Sequence, residues 1–194
     1  MGIHEDDIRF VEDVIGKNWS AVHMAMLGNQ RIRVSDTPFA MFAAARDARC
    51  IGFDLNGLDG CLAVDLDQPL SGYDEAFDCI LNFGTSEHCM GQETVFRNIH
   101  TMCRPGGFMI HHVPLAGHWP GHSPFKYAPG FFSTLSVING YKVALLEEVR
   151  RGSDRLATRC AIRRGNESFS GIPGEYLVRC SDWRINSDNL KHGS

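Results

Sequence analysis

A chain of 194 residues, 43% hydrophobic and 22% charged, has the length and composition of one globular domain with a sizeable core; two domains would crowd it. Its formal charge of -4, with histidine counted neutral, argues against nucleic acid or an anionic membrane as the main partner, because both are bound through basic surface. Seven cysteines are scattered without a C-x-x-C pair, and their odd number favours a reducing compartment.

The first ten residues, MGIHEDDIRF, are acidic and lack a basic-then-apolar signal, and no apolar run reaches the length of a membrane span, so a cytoplasmic protein is expected. His4 to Lys17 carries Ile8, Val11, Val14 and Ile15 at helical spacing, which predicts a short amphipathic helix. Ala21 to Leu27 reads as a strand that runs into a tight turn at Gly28-Asn29-Gln30. Asp36-Thr37-Pro38 offers an N-cap and a first-turn proline to an alanine-rich helix from Phe39 to Arg46. Cys50 to Leu55 and Cys61 to Leu66 are the next two strands, each with an aspartate near its end.

Phe77 to Pro114 then reads as strand, loop, helix, turn and strand. The apolar run Phe77 to Leu81 breaks at Asn82 and Gly84; Val95, Phe96, Ile99, Met102 and Cys103 recur at steps of three and four; Pro105-Gly106-Gly107 stops the helix before the strand Phe108 to Val113. Such a βαβ unit makes its strands parallel and puts the loop Asn82 to His88 at the C-terminal edge of a sheet, where open α/β folds bind ligands. The loop HWPGHSPFKYAPG is too long for a simple connection, and Pro129 opens a further helix through Ile138. Tyr141 to Val149 and Leu156 to Arg164 form an antiparallel hairpin, and residues 165–194 are a polar extension or edge segment whose one apolar knot is Tyr176-Leu177-Val178.

From Ala21 to Arg164 the pattern resembles class I S-adenosylmethionine-dependent methyltransferases. FDCILNFGTSEH is similar to the family's fourth strand, RPGG followed by FMIHHVP to its turn into the fifth, IGFDLNG to the second strand and LAVDL to the third. The fold this implies is α/β, a Rossmann-like, seven-stranded, mostly parallel sheet with helices on both faces and a C-terminal antiparallel hairpin, over residues 1–164. The cofactor it implies is S-adenosylmethionine. The departure is the cofactor loop: the family has a run such as G-x-G-x-G, whereas MLGNQRI keeps Gly28 alone.

The resemblance assigns the cofactor to Gly28, Asp54, Leu55, Asp65, Leu66, Asn82, Phe83 and Gly84. Asp54 would accept ribose hydroxyls, for which a carboxylate has two acceptor oxygens, or else caps its own turn; Asp65 with Leu66 would hold adenine, or is another loop cap. His111 and His112 are neighbours in a strand and must point to opposite faces, so one at most reaches a pocket and the other is a core histidine. His88 and His112 are the candidate bases, with Glu87 a helix-start residue. His118, His122 and Tyr127 on the long loop would meet substrate, or plug the sheet edge. His118 and His122 are four residues apart but lie in a loop rich in proline and glycine, not on one face of a helix, so no metal site is expected.

Two functions follow as expectations. One is methyl transfer to oxygen or nitrogen of a small molecule; the other is a catalytically silent relative that binds a metabolite or a protein partner. A nicotinamide-dependent dehydrogenase is a weaker third, because its G-x-G-x-x-G is missing. Oligomeric state has no signature in the sequence.

Overall fold

A computed structural model describes residues 2–183 of the chain. In chain order its elements are α1 (Glu5–Ile15), β1 (His23–Leu27), β2 (Arg31–Ile32), β3 (Thr37–Pro38), α2 (Phe39–Ala44), β4 (Arg49–Asp54), β5 (Leu62–Ala63), β6 (Phe77–Phe83), α3 (Gln92–Met102), β7 (Cys103–Pro114), β8 (Phe125–Tyr127), α4 (Phe131–Ile138), β9 (Lys142–Arg150), β10 (Leu156–Arg163) and β11 (Leu177–Arg179).

The main sheet has seven strands in the order β5-β4-β1-β6-β7-β10-β9. The strands from β5 to β7 are mutually parallel, and β10 is antiparallel to both β7 and β9, which gives the expected Rossmann-like sheet with its terminal hairpin. Strand alternation divides the interior into two cores. Ala25, Leu27, Ile80 and Met109 face Val95, Phe96 and Ile99 of α3 and Phe131, Phe132 and Leu135 of α4. Met24, Met26, Leu81 and Ile110 face Phe10 and Val11 of α1 and Phe39 and Ala43 of α2. The cysteines fit this division, since Cys79, Cys103 and Cys160 are buried and all seven are free.

Local chemistry sets two departures from the sequence reading. The first lies between β1 and α2, where the chain makes a two-stranded hairpin, β2 with β3, before the helix begins. Ile3 joins this hairpin, its N–H donating to Arg31 O and its carbonyl accepting from Arg33 N, both at 2.9 Å. The second is the Pro105-Gly106-Gly107 turn, which lies inside β7 as an irregularity between the pairs Phe77 with Cys103 and Cys79 with Phe108. Arg104 at the start of β7 binds Asp78 at 2.6 Å, and Asp78 also accepts the His23 N–H at 2.7 Å, so this aspartate anchors the start of two strands, β1 and β7.

The extension beyond residue 164 packs on the sheet as far as it is described. β11 pairs antiparallel with β8, and Phe169, Ile172, Tyr176 and Leu177 lie against the α3–α4 core. Residues 184–194 of that expected segment lie outside the described residues.

Gly107 tests the bulge. A Cβ there would stand 2.8 Å from Asp78 O and 2.9 Å from Arg104 O, backbone atoms that cannot swing away. Gly107→Ala should lower the unfolding free energy by about 2 kcal/mol, as overpacking typically does, read as a reduced urea midpoint with unchanged m.

Candidate functional site

The strand order reverses direction between β1 and β6: from β1 the chain builds outward through β4 and β5, then returns to place β6 on the other side. A crevice at the C-terminal ends of such neighbouring strands is the ligand position of open α/β sheets. Gly28 ends β1 with φ +80, a conformation that side chains other than glycine avoid, and its N–H donates to Phe53 O at 2.8 Å. Thr85 and Gln30 stand directly over it, and a Cβ on Gly28 would meet Thr85 Oγ1 at 2.5 Å and Gln30 Nε2 at 3.0 Å. Thr85 Oγ1 donates to Leu27 O at 2.8 Å, whereas Oε1 of Gln30, a residue only 7% exposed, has no partner among the described residues.

Asp54 sits at the end of β4 and draws the loop to itself. One carboxylate oxygen accepts the Asn29 N–H at 2.7 Å and the other the Asn56 N–H at 2.9 Å, which leaves each with further acceptor capacity. Asp65 is exposed, and one of its oxygens accepts the Asp67 N–H at 2.9 Å. Leu66 is buried in the core and Leu55 projects into solvent. Asn82 is wholly buried: its amide donates to Ser86 Oγ at 2.8 Å, its carbonyl oxygen accepts the Ser86 N–H at 3.0 Å, and His111 Nδ1 lies 3.0 Å from its Nδ2. That side chain is spent on shaping its own loop. Phe83 is buried against His112, and Gly84, with φ +74, donates its N–H to His112 O at 2.9 Å.

Strand alternation separates the two adjacent histidines. His111 is enclosed between Phe96 and Phe132, where burial pushes its pKa down to about 3, so it is a neutral core residue. His112 faces the opposite side, toward α1. Its Nδ1 lies 2.8 Å from Asp7 Oδ1, and because a carboxylate can only accept, Nδ1 carries a proton; Nε2 has no partner among the described residues.

Asp7 is 1% exposed and binds His112, the His4 N–H at 2.9 Å and Arg151 Nη2 at 2.7 Å. Arg159 Nη1 adds a contact at 3.3 Å. Burial by itself would raise the Asp7 carboxyl, but the His112 hydrogen bond and charge, the His4 amide and the Arg151 charge outweigh it and hold the pKa at about 2. His112, Arg33, Trp119, His122, Arg151 and Arg155 line a polar cleft of ≈ 590 Å³ beside this network.

The long loop reaches the same cleft. His122 stands at its wall, tilted against Trp119 and 5.0 Å, ring to ring, from His88. Burial lowers the His88 pKa although 41% of its side chain reaches solvent at one edge. His118 is half-buried in the loop's first turn and is not among the residues lining the cleft. Tyr127 corrects the expectation that it meets substrate: it is fully buried, and its hydroxyl donates to Gln92 Oε1 at 2.9 Å and contacts Ser86 Oγ at 2.7 Å. Glu87, read as a helix-start residue, lies instead in a 3-10 turn ahead of the helix and is 0% exposed. Asp7 and Arg151 are the site residues that sequence reasoning missed. Asp7 had a local sign, because it falls on the face of α1 that carries Phe10 and Val11, where a carboxylate needs a partner.

A family model described as a methyltransferase domain matches residues 15–111, half of the 194-residue chain. Among solved structures, the 1,6-didemethyltoxoflavin-N1-methyltransferase of Burkholderia thailandensis is 16% identical with TM-score 0.62, over 81% of this chain and 76% of that one. An S-adenosylmethionine-dependent methyltransferase from Mesorhizobium loti is 14% identical with TM-score 0.60, over 79% and 96%. A 4+2 cyclase, SpnF, is 14% identical with TM-score 0.61, over 83% and 82%. At such identities the likeness is one of fold. No curated protein sequence matches the chain.

The Asp7 network makes a prediction about acid. A carboxyl held below its unfolded value stabilises the folded chain at any pH above that unfolded value, and the contribution is lost as pH falls through the folded one. A shift from 3.8 to about 2 is worth about 2 kcal/mol, so unfolding monitored from pH 5 to pH 2 should lose that amount, chiefly below pH 4. Asp7→Asn, which removes the carboxylate facing the buried His112 and leaves Arg151 paired with Asp6 alone, should cost about 3 kcal/mol at pH 7 and flatten this acid limb.

Proposed function

The chain belongs to the methyltransferase-domain family, and on that premise we propose that it transfers a methyl group from S-adenosylmethionine to oxygen or nitrogen of a small molecule. One observation carries the reading: Asp65, Asp54, Gly28 and the Asn82–Gly84 segment stand at or just beyond the C-terminal ends of four adjacent parallel strands, β5, β4, β1 and β6, on one edge of the sheet. The residues present fit the cofactor's chemistry. Asp54 keeps acceptor capacity for ribose hydroxyls, and Asp65 has a second oxygen for the adenine amine. The orphaned Gln30 Oε1 beside Gly28 is an acceptor suited to an ammonium group. Asn82 would act by holding the turn in shape.

The bound cofactor supplies an electrophilic methyl on sulfonium sulfur, so the chain's own residues have to bind, orient and deprotonate the acceptor. His112 is the base the geometry favours. Asp7 fixes its tautomer and would stabilise the imidazolium once Nε2 takes a proton, and the acceptor would occupy the polar cleft. His88 is the second candidate, its neutral form favoured by burial. The 116–128 loop contributes Trp119 and His122 to the cleft wall and would cover the acceptor.

The second reading is a catalytically silent protein that binds a metabolite or a protein partner through the same edge. The two side chains over Gly28 favour it, because Thr85 and Gln30 fill space where the family has backbone alone. SpnF, named as a cyclase on a similar fold, illustrates that this architecture is not tied to one reaction.

Calorimetric titration with S-adenosylhomocysteine separates them. The enzyme reading expects one site per chain, with affinity falling tenfold or more in Asp54→Ala and in Asp65→Ala, the equivalent of about 1.4 kcal/mol per substitution. Absence of heat at about 1 mM ligand would remove the enzyme and leave the second reading.

A further inference from the structure

We infer that Glu87, His88 and His122 form a binding site for one divalent transition-metal ion of the zinc class. Glu87 is 0% exposed, and neither of its carboxylate oxygens has a hydrogen-bond partner among the described residues. Buried polar groups are normally paired, and a buried carboxylate with nothing donating to it calls for a cation. The nearest groups are two imidazoles. His122 Nε2, also buried and unpartnered, lies 3.6 Å from Glu87 Oε1, and His88 Nε2 lies 3.9 Å from the same oxygen.

These separations are too long for hydrogen bonds and close to those of ligands sharing an ion. Tetrahedral zinc with bonds of about 2.0–2.1 Å places its ligand atoms roughly 3.3 Å apart. One ligand atom from each of the three side chains lies within 4.8 Å of the others, so small side-chain rotations close the set. Two imidazoles with one carboxylate suit zinc, iron or cobalt better than magnesium or calcium, which prefer oxygen.

The support for the ligands is rigid. Ser86, which precedes Glu87, is held by Asn82 and Tyr127, and Gln92 Nε2 donates to both Ser86 O and Cys89 O at 2.6 Å. His122 comes from the long loop, so an ion would tie that loop to the end of β6 without the helical spacing that a sequence motif requires. Three protein ligands leave a fourth position, and His122 borders the same cleft as His112. The inference does not rest on the cofactor: a chain that fails to bind S-adenosylhomocysteine could still bind the ion, and the reverse.

The test uses the full chain, stripped with chelator and titrated with Co2+. The expected result is visible d–d absorption that saturates at one equivalent, is displaced by Zn2+, and accompanies a rise in Tm. Glu87→Gln and His122→Asn should each weaken Co2+ binding tenfold or more, while His23→Gln, an exposed histidine elsewhere, should leave it unchanged. In chelator, Glu87→Gln should be no less stable than the parent chain, which would also establish that it folds. Failure of the parent chain to bind Co2+, or binding that survives both substitutions within tenfold, overturns the site.

Discussion

A charge removed from water must meet an opposite charge or a set of hydrogen bonds, and the functional end of this molecule is built around that requirement. Asp7 meets it in full. Its two oxygens bring together a helix at the start of the chain, the middle of β7 and the hairpin near the end, across 105 residues to His112 and 144 to Arg151. Each contact is costly to break singly, because the remaining partners would keep their charge in the interior. The cleft wall formed by His112 and Arg151 is therefore as firm as the core beside it. Glu87, buried to the same degree a short way along the sheet edge, has no such partner among the described residues, and the contrast is what marks its surroundings as unfinished.

Sheet geometry decides which side chains can serve the cleft at all. Successive residues of a strand point to opposite faces, so His111 goes to the α3–α4 core, packed on Phe96 and Phe132, and His112 to the face covered by α1. Two identical residues thereby acquire opposite chemistry. One is locked neutral by burial, with its Nδ1 against Asn82; the other has a carboxylate against its Nδ1 and, among the described residues, no partner for Nε2. The same rule places Tyr127 inward, where its hydroxyl ties β8 to Ser86 and Gln92.

The features legible in the sequence were those with a local period. The strands of the parallel sheet, the amphipathic faces of α1 and α3 and the separation of His111 from His112 all follow from alternation or from steps of three and four. The β2–β3 hairpin has no such pattern: its strands are two residues each, and Ile3, from the far side of α1, completes it. Asp7 and Arg151 are likewise defined by a contact across most of the chain. Glu87 was placed by helix-dipole logic in a helix that begins at Gln92; the segment before it is a 3-10 turn that folds the carboxylate inward.

That hairpin connects the two halves of the site. The Gly28 loop leads into Arg31–Arg33, Ile3 pairs with both ends of that stretch, and four residues further on Asp7 holds His112. The loop is also tied to β4 through Asp54 and the Asn29 N–H. Backbone hydrogen bonds at 2.9 Å transmit position more faithfully than side-chain contacts at a solvated surface, where ion pairs such as Arg31 with Asp36 contribute little. A rearrangement at Gly28 that carried Arg31 and Arg33 with it would displace Ile3, and through α1 the carboxylate that fixes the His112 tautomer. The single glycine is thus coupled by covalent and hydrogen-bonded neighbours to His112, which Asp7 holds at the cleft wall. Whatever occupies the crevice at the end of β1 acts on the same N-terminal segment that positions His112.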